Sequence, residues 1–336
     1  MTPGAAGAAG VAAAIVTAAC LPPVIAWLRR RALLDQPNER SSHTDPTPRG
    51  GGIAVAIGMA AGTLAAVVAG DVDLVSSAGI GLSVGAVGAA AIGVIEDVFG
   101  VSPVGRLAAQ SVVAGGVVVA LWWRADLSGW LGHPVTVAAA IVWFVGLVNV
   151  VNFMDGINGI TAVTVIVVGS YDIWLGWRSD EPLLIAGGAV AAGAALGFLP
   201  FNVPRARVFL GDSGSYLLGA WVAASSLVAL VATRDPFVAG APLTYYLCDA
   251  AITLVARLRS GEAVMTPHRA HAYQRRVQAG RSHPSVALEV GAVTVAAGAA
   301  GAVAELVPAL EVTLAVVTLV ATGAYVVQGR RTGEVT

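Results

Sequence analysis

Residues 135–153 read VTVAAAIVWFVGLVNVVNF, a run of 19 residues without a charged side chain. As a helix that rises about 1.5 Å per residue, this run is long enough to cross the roughly 30 Å hydrocarbon core of a bilayer. Asn152, Asp155 and Asn158 lie at its end, just before another apolar stretch begins. The run therefore predicts a membrane-spanning helix that places polar side chains at one membrane surface.

The whole chain has the composition of an integral membrane protein. Hydrophobic residues make up 57% of its 336 positions, and charged residues make up only 12%. The mean hydropathy is +0.78. These values exclude a soluble domain with a charged, solvated surface. We expect a single integral membrane domain over residues 1–336 and no nucleic-acid partner.

Ten further apolar stretches are long enough to span a membrane as helices. The predicted fold class is therefore an all-α polytopic membrane protein with about eleven transmembrane helices. Gly and Ala occur throughout most of these stretches, which favours close helix packing in lipid. The predicted spans lie roughly at residues 4–28, 52–70, 74–95, 106–123, 135–153, 160–177, 183–200, 215–232, 237–256, 284–303 and 306–328.

The arginines predict how the chain is oriented in the membrane. All 19 basic residues are arginine, and only Arg124, Arg178 and Arg234 lie in one set of alternate loops. The other 16 lie in or beside the opposite set, at 29–51, 96–105, 154–159, 201–214, 257–283 and 329–336. Because loops rich in basic residues stay in the cytoplasm, we expect the N-terminus outside and the C-terminus in the cytoplasm. We also expect contact with membrane lipids.

The polar motifs all lie in the loops that are predicted to be cytoplasmic. GVIEDVFG contains Glu96 and Asp97, and PHRAHAYQRR contains His268, Arg269 and His271. Carboxylates that face one another in a low dielectric repel, and a hard divalent cation relieves the repulsion. Because Mg²⁺ shares its coordination shell with substrate phosphates, the nearby Arg and His indicate phosphate chemistry. The motifs NVVNFMDGING and FNVPRARVFLGDSGS add Asn149, Asn152, Asp155, Asn158, Asn202, Phe209, Asp212, Ser213 and Ser215.

Each of these features also has a simpler interpretation. Asp155 and Asp212 precede Gly or Ser-Gly and an apolar run, so either carboxylate could be only a helix cap. The cluster at 29–31 could be only a topology determinant or a lipid-headgroup contact. A membrane transporter or lipid flippase is the alternative function. Such proteins keep ionisable residues near the bilayer midplane, whereas the polar groups here crowd one face.

The motifs, in this order, resemble those of the bacterial polyprenyl-phosphate N-acetylhexosamine-1-phosphate transferases, the WecA, TagO and MraY group of glycosyl transferase family 4. The resemblance extends from DQPNERSSHTDPTPRGGG at 35–52 to PHRAHAYQRR at 267–276. It implies eleven helices and a Mg²⁺-dependent transfer of sugar 1-phosphate from a UDP-N-acetyl sugar to polyprenyl (undecaprenyl) phosphate, with release of UMP. That reaction is the initiating step of a cell-envelope glycan, in lipopolysaccharide or cell wall biogenesis. The resemblance therefore also implies the bacterial inner membrane as the location, with the active site facing the cytoplasm.

The resemblance also implies roles for individual residues. Asp212 is expected to bind Mg²⁺, with Mn²⁺ as the alternative ion, and Asp97 is expected to help hold the metal or to deprotonate the lipid phosphate. Glu96 belongs to the expected catalytic set, and Arg49 to the substrate-binding set. Phe209 is positioned to stack on uracil. The other implied substrate contacts are Asn152, Asp155, Gly156, Asn158, Asn202, His268, Arg269 and His271.

Two motifs depart from the family pattern. Glu96 and Asp97 stand where the family has the paired aspartates of a DDxxD-like motif, and Gly100 replaces the third carboxylate. PHRAHAYQRR lacks a run of consecutive histidines. A catalytically inactive relative is therefore a further alternative. The sequence leaves open the donor sugar, the polyprenyl length, a one-step or two-step mechanism, and whether the chain forms a homodimer.

Overall fold

A computed structural model describes residues 1–36, 45–70, 72–73, 76–122, 133–262 and 269–331. Most of these residues are α-helical, and 3-10 turns at Ala241–Leu243 and Pro308–Leu310 join two pairs of helices. The helices are α1 (Pro3–Arg30), α2 (Gly52–Val68), α3 (Ser77–Phe99), α4 (Pro103–Trp122), α5 (His133–Met154), α6 (Ile160–Arg178), α7 (Pro182–Asn202), α8 (Gly211–Thr233), α9 (Pro236–Gly240), α10 (Thr244–Arg259), α11 (Ala272–Gln278), α12 (His283–Leu306) and α13 (Glu311–Arg331).

The helices have the lengths that a membrane protein requires. In the described part of the chain, ten helical segments are long and apolar enough to cross a membrane, and α9 and α10 together form one of them. α2, with 17 residues, is a shorter apolar helix. The predicted all-α polytopic fold with about eleven spans is therefore confirmed. The orientation of the termini stays a prediction.

The helix ends differ from the predicted ends where the polar motifs lie. α3 continues to Phe99, so Glu96 and Asp97 lie in its last turn and not in a loop. α8 begins at Gly211, so Asp212 lies in its first turn. α11 occupies part of the 257–283 segment that was expected to be a loop. The spans were predicted from the length of apolar stretches. That length contains no information on the polar residues that form hydrogen bonds with the backbone at a helix end.

α8 is the central helix of the bundle. It is buried along most of its length and packs against α3 on one side and α5 on another. α1, α2 and α7 pack together beside it, and α6 packs between α7 and α12. α13 lies at the periphery, with exposed apolar side chains such as Val312 and Val320. The bundle therefore places the N-terminal end of α8 among the ends of its neighbours.

A short extended segment brings the chain to that end of α8. Strands β1 (Leu34–Asp35) and β2 (Thr47–Pro48) pair in antiparallel fashion. Arg49 follows β2 directly and forms a parallel bridge with Phe209, two residues before α8 begins. The N–H of Gly51 donates to the Phe209 carbonyl at 2.9 Å. The backbone of residues 47–51 is thus fixed against the segment that leads into α8.

A mostly apolar cavity of about 490 Å³ lies between α2, α3, α7 and α8. Met59, Leu82, Leu184 and Trp221 contribute to its lining, and none of the described residues that line it is charged. Along α8 the lining begins at Leu217, beyond the first turn of the helix. The polar chemistry of the protein is therefore separate from this cavity.

Candidate active site

The Asp97 carboxylate joins the end of α3 to the start of α8. Its two oxygens accept hydrogen bonds from the backbone N–H groups of Asp212 and Ser213, both at 2.9 Å. The first N–H groups of a helix have no partner within it, and a negative charge beside them interacts favourably with the helix dipole. Asp97 is therefore a cap supplied by a neighbouring helix, and it fixes the position of Asp212.

Two glycines allow α3 and α8 to approach closely enough for this contact. A Cβ on Gly93, one turn before Asp97, would overlap the backbone of Asp212 and Ser213. Gly211 has a φ of +75°, which side chains rarely allow, and a Cβ there would lie 2.8 Å from the Asp97 carboxylate. The GVIED and LGDSG segments therefore need their glycines to bring the two aspartates together.

Arg49 bridges the two aspartates. Its Nε lies 3.0 Å from Oδ1 of Asp97, and its Nη2 lies 2.5 Å from Oδ2 of Asp212. The two carboxylate side chains are only 8% and 12% exposed, whereas the Arg49 side chain is 41% exposed. The guanidinium therefore forms the accessible side of a largely buried carboxylate pair.

Asn152, in the last turn of α5, holds the second oxygen of Asp212. Its Nδ2 donates to Oδ1 of Asp212 at 2.8 Å and to Oγ of Ser215 at 2.9 Å. Arg49 and Asn152 thus contact different oxygens of the Asp212 carboxylate. The structure brings together four residues predicted from the sequence: Arg49, Asp97, Asn152 and Asp212.

A polar cluster continues from the aspartates into the bundle between α3, α4 and α5. The carboxylate of Glu96 lies 3.7 Å from the Arg106 guanidinium, and the amide of Asn149 donates to Oε1 of Gln110 at 2.6 Å. Within the described residues, one carboxylate oxygen of Glu96, Nε of Arg106 and Nε2 of Gln110 are buried without a hydrogen-bond partner. Such groups are unusual in folded proteins. Gln110 was not predicted as a site residue, and Arg106 entered only the prediction of topology, although two polar residues four apart in an apolar helix were a signal.

Asp155 lies in the turn between α5 and α6. Burial of its side chain, with a smaller contribution from the negative charge of Asp212, raises the pKa of the Asp155 carboxyl to about 7. A carboxyl with this pKa can exchange a proton near neutral pH. Asn158, in the same turn, donates from Nδ2 to the Pro204 carbonyl at 3.2 Å, which ties the turn to the segment before α8.

Asn202, at the end of α7, holds the same two segments together. Its Oδ1 accepts the Gly159 N–H at 2.6 Å, and its Nδ2 donates to the Val208 carbonyl at 3.0 Å. The residue is only 6% exposed. These contacts are with backbone, so substrate contact by Asn202 stays a prediction, as does the stacking of half-buried Phe209 on uracil.

His271 precedes α11 and contacts a buried carboxylate. Its Nδ1 lies 3.2 Å from Oδ1 of Asp249 on α10, and the residue is 4% exposed. Asp249 is fully buried. Arg269 is partly buried two residues before His271. A role of His271 or Arg269 at the diphosphate stays a prediction, and His268 lies outside the described residues.

The carboxylates at this site are of the kind that a magnesium ion binds, and the ion itself stays a prediction. Within the described ranges, no group of three or more His, Cys, Asp and Glu side chains could hold a metal ion. Mg²⁺ usually takes only one or two carboxylates and completes its octahedron with water and phosphate oxygens. Asp97 and Asp212, which Arg49 joins, are two such carboxylates.

Comparison with known proteins identifies the family. The model of glycosyl transferase family 4 matches residues 79–230, which include both aspartates of the site. The decaprenyl-phosphate N-acetylglucosaminephosphotransferase of Mycobacterium tuberculosis (strain ATCC 25618 / H37Rv) is 31% identical over 317 residues, which cover 83% of this chain and 77% of the relative. The chain belongs to glycosyl transferase family 4.

Two other curated family 4 proteins are also similar to the chain. The probable undecaprenyl-phosphate N-acetylglucosaminyl 1-phosphate transferase of Bacillus subtilis (strain 168) is 26% identical, with 74% of this chain and 71% of the relative covered. An undecaprenyl-phosphate alpha-N-acetylglucosaminyl 1-phosphate transferase of Thermotoga maritima is 29% identical, with 60% and 59% covered. The family that the sequence motifs predicted is confirmed.

Proposed function

We propose that this family 4 protein transfers N-acetylglucosamine 1-phosphate, or a closely related N-acetylhexosamine 1-phosphate, from a UDP-sugar to polyprenyl phosphate and releases UMP. The relatives from three bacteria are named for such a transfer. The observation that carries the proposal is the group formed by Asp97, Asp212 and Arg49 at one end of the membrane bundle. Buried carboxylates beside an accessible guanidinium suit a polyphosphate that binds together with a cation.

Arg49 is the residue proposed to bind the donor diphosphate. Its planar guanidinium can donate two parallel hydrogen bonds to phosphate oxygens, which a lysine cannot reproduce. The 41% exposure of its side chain leaves it accessible from outside the carboxylate pair. When a diphosphate binds, the contacts of Arg49 can be shared between the phosphate and the aspartates.

Asp212 is proposed as the main ligand of a magnesium ion, and Asp97 and Glu96 contribute to the same negative site. Bound Mg²⁺ would supply positive charge to the donor diphosphate. Asn152 holds the Asp212 carboxylate in a single orientation through its 2.8 Å hydrogen bond. The transfer of a phosphoryl group depends mainly on positioning and electrostatic stabilisation, and these side chains provide both.

Asp155 is proposed to accept a proton from the lipid phosphate. Both oxygens of Asp97 already accept backbone N–H groups, and one also contacts Arg49. These contacts make Asp97 the residue that holds α8 in place. A pKa of about 7 for Asp155 is close to the value that a general base needs at neutral pH.

The helix ends put this site where a lipid phosphate can reach it. Asp97, Asn152 and Asp212 all lie within one turn of the end of a membrane-spanning helix. A polyprenyl phosphate keeps its chain in the hydrocarbon core and its phosphate at the membrane surface. We place this end of the bundle at the cytoplasmic face, where UDP-sugars are made, in agreement with the distribution of arginines.

The experiment that tests the proposed function uses purified protein in detergent. Undecaprenyl phosphate, Mg²⁺ and a panel of UDP-N-acetyl sugars are supplied, and UMP release is followed with and without EDTA. We expect Mg²⁺-dependent release with UDP-N-acetylglucosamine or one closely related donor. Folded protein that releases no UMP with any donor would contradict the proposal.

A further inference from the structure

We propose that Tyr273 is a positioning residue that holds Asp155 in place for the reaction, an inference that rests on the proposed function. Tyr273 lies in α11 and is fully buried, so it does not contact the substrate. Its hydroxyl reaches the turn after α5, where Asp155 lies. The sequence motifs did not predict this contact.

The Tyr273 hydroxyl holds the backbone on both sides of Asp155. It donates to the Phe153 carbonyl at 2.8 Å. It also packs against Gly156, where an added Cβ would overlap it. The hydroxyl thus contacts the backbone before and after Asp155, within a four-residue segment. This contact determines where the turn presents the Asp155 side chain.

Gly156 is the residue that lets α11 come this close. A Cβ on Gly156 would overlap the Tyr273 hydroxyl and would lie 3.1 Å from Nε2 of Gln274. The glycine of the MDG motif is therefore required for packing against α11. This close approach supplies a way to test the contact by substitution.

α11 is itself fixed by the buried carboxylate of Asp249. Oδ1 of Asp249 accepts the Ala272 N–H at 3.0 Å, lies 3.2 Å from Nδ1 of His271, and accepts the Thr253 hydroxyl at 3.1 Å. Ala272 and His271 lie at the start of α11, so Asp249 satisfies backbone groups that a short helix leaves open. Asp249 therefore anchors α11 to α10.

These contacts form a continuous connection from α10 to the proposed site. Asp249 anchors the start of α11, Tyr273 on α11 holds the turn, and the turn carries Asp155. Small displacements of a reacting group can lower a rate by about 10²-fold. Through α11, the fully buried Asp249 carboxylate of α10 therefore helps to position the turn.

The first test replaces Tyr273 by phenylalanine, with Tyr171→Phe as the matched control. Tyr171 is also buried and donates to a backbone carbonyl, that of Val238 at 2.8 Å, but it lies in the middle of α6, away from the turn. We expect Tyr273→Phe to lower kcat/KM for the UDP-sugar by about tenfold or more, while Tyr171→Phe retains the wild-type value. Equal kcat/KM for the two variants at similar melting temperatures would overturn the inference.

The second test does not depend on turnover. Melting temperatures are measured for Gly156→Ala, Tyr273→Phe and the double variant, which together isolate the coupling between the two positions. Because the added Cβ meets the hydroxyl, we expect Gly156→Ala to lower the melting temperature less in the Tyr273→Phe background than in the wild type. Strictly additive shifts would show that the hydroxyl does not hold this turn.

The two tests separate this inference from the proposed function. Coupled melting temperatures with no turnover by the wild-type protein would support the contact and contradict the proposed reaction. Turnover by the wild type with no effect of Tyr273→Phe on kcat/KM would support the reaction and contradict the positioning role.

Discussion

Arg49 is the residue whose side chain connects the carboxylate pair to its surroundings. Its contacts with Asp97 and Asp212 use two different guanidinium nitrogens. A lysine ammonium is a point charge and cannot reproduce this forked geometry. The loss of one such electrostatic contact commonly lowers kcat by about 10²-fold or more.

The first prediction follows for Arg49→Lys. We expect kcat for UMP release to fall by about 10²-fold, because the ammonium cannot reproduce the planar fork through which Nε and Nη2 contact the two aspartates. Arg178→Lys is the control, since Arg178 lies at the opposite end of the bundle and is 51% exposed. Steady-state kinetics check the pair, and unchanged turnover by Arg49→Lys would refute the role of the guanidinium.

The second prediction concerns Asp155 and pH. In the unfolded chain an Asp ionises near pH 4, whereas burial raises the pKa of Asp155 to about 7 in the fold. Between these values the folded state holds the extra proton, so this group lowers stability as pH rises from about 4 to about 7. Asp155→Asn should therefore show a smaller fall in melting temperature across this window than the wild type. Identical pH dependence of the two proteins would contradict the raised pKa.

The polar motifs, together with their resemblance to a known family, predicted which side chains meet, but not what each one does. Arg49, Asp97, Asn152 and Asp212 were all named from the sequence and lie in mutual contact. The sequence could not show that Asp97 caps α8, because that cap depends on two helices that are more than 100 residues apart in the chain. A contact between residues so far apart in the chain leaves no local pattern in the sequence.

At the scale of elements, the site depends on how closely α3 approaches α8. Gly93 of α3 faces the backbone of the first turn of α8, where any side chain would overlap it. Inserting a methyl group into such a contact typically costs about 1–3 kcal/mol, because the two backbones must separate. The same separation would lengthen the hydrogen bonds of Asp97.

The third prediction is therefore that Gly93→Ala lowers both the melting temperature and the rate of UMP release. Gly115→Ala is the matched control, because a Cβ on Gly115 of α4 has open space around it. Alanine is the better helix former, so the control should be at least as stable as the wild type. If Gly93→Ala proved as stable and as active as Gly115→Ala, the close approach would not be needed.

Apolar length predicted the existence of the helices well and their ends less well. The spans at 135–153 and 160–177 agree closely with His133–Met154 and Ile160–Arg178. The end of α3 and the start of α8 differ, because polar residues there continue the helices beyond the apolar stretch. The differences between predicted and observed helix ends therefore occur at the site, where the ends of α3 and α8 carry the polar residues of the site.

At the scale of the whole molecule, the distribution of arginines predicts the orientation of the bundle. Sixteen of the 19 arginines lie on one predicted side, and the carboxylate pair is on that side. The potential across a bacterial membrane and the insertion machinery both favour keeping such loops inside. The proposed reaction also requires this orientation, because UDP-sugars are cytoplasmic.

The fourth prediction is a cytoplasmic C-terminus. Green fluorescent protein fused after Thr336 should fluoresce in cells, and alkaline phosphatase fused there should be inactive, since each folds on one side of the membrane. A phosphatase fusion at residue 180, between α6 and α7, is the control and should be active. The opposite pattern at both fusion points would show that the bundle has the inverse orientation and that the active site does not face the cytoplasm.

The most direct test of the account follows two labels in one donor. UDP-N-acetylglucosamine labelled both in the sugar and at the β-phosphorus is incubated with purified protein, Mg²⁺ and undecaprenyl phosphate, and the lipid and aqueous fractions are separated. We predict that both labels enter the lipid in equal amounts, that unlabelled UMP stays in the water, and that Asp212→Asn abolishes the transfer while the protein stays folded. Transfer of the sugar label without the phosphorus label, or full transfer by Asp212→Asn, would contradict a sugar-1-phosphate transferase centred on this aspartate pair.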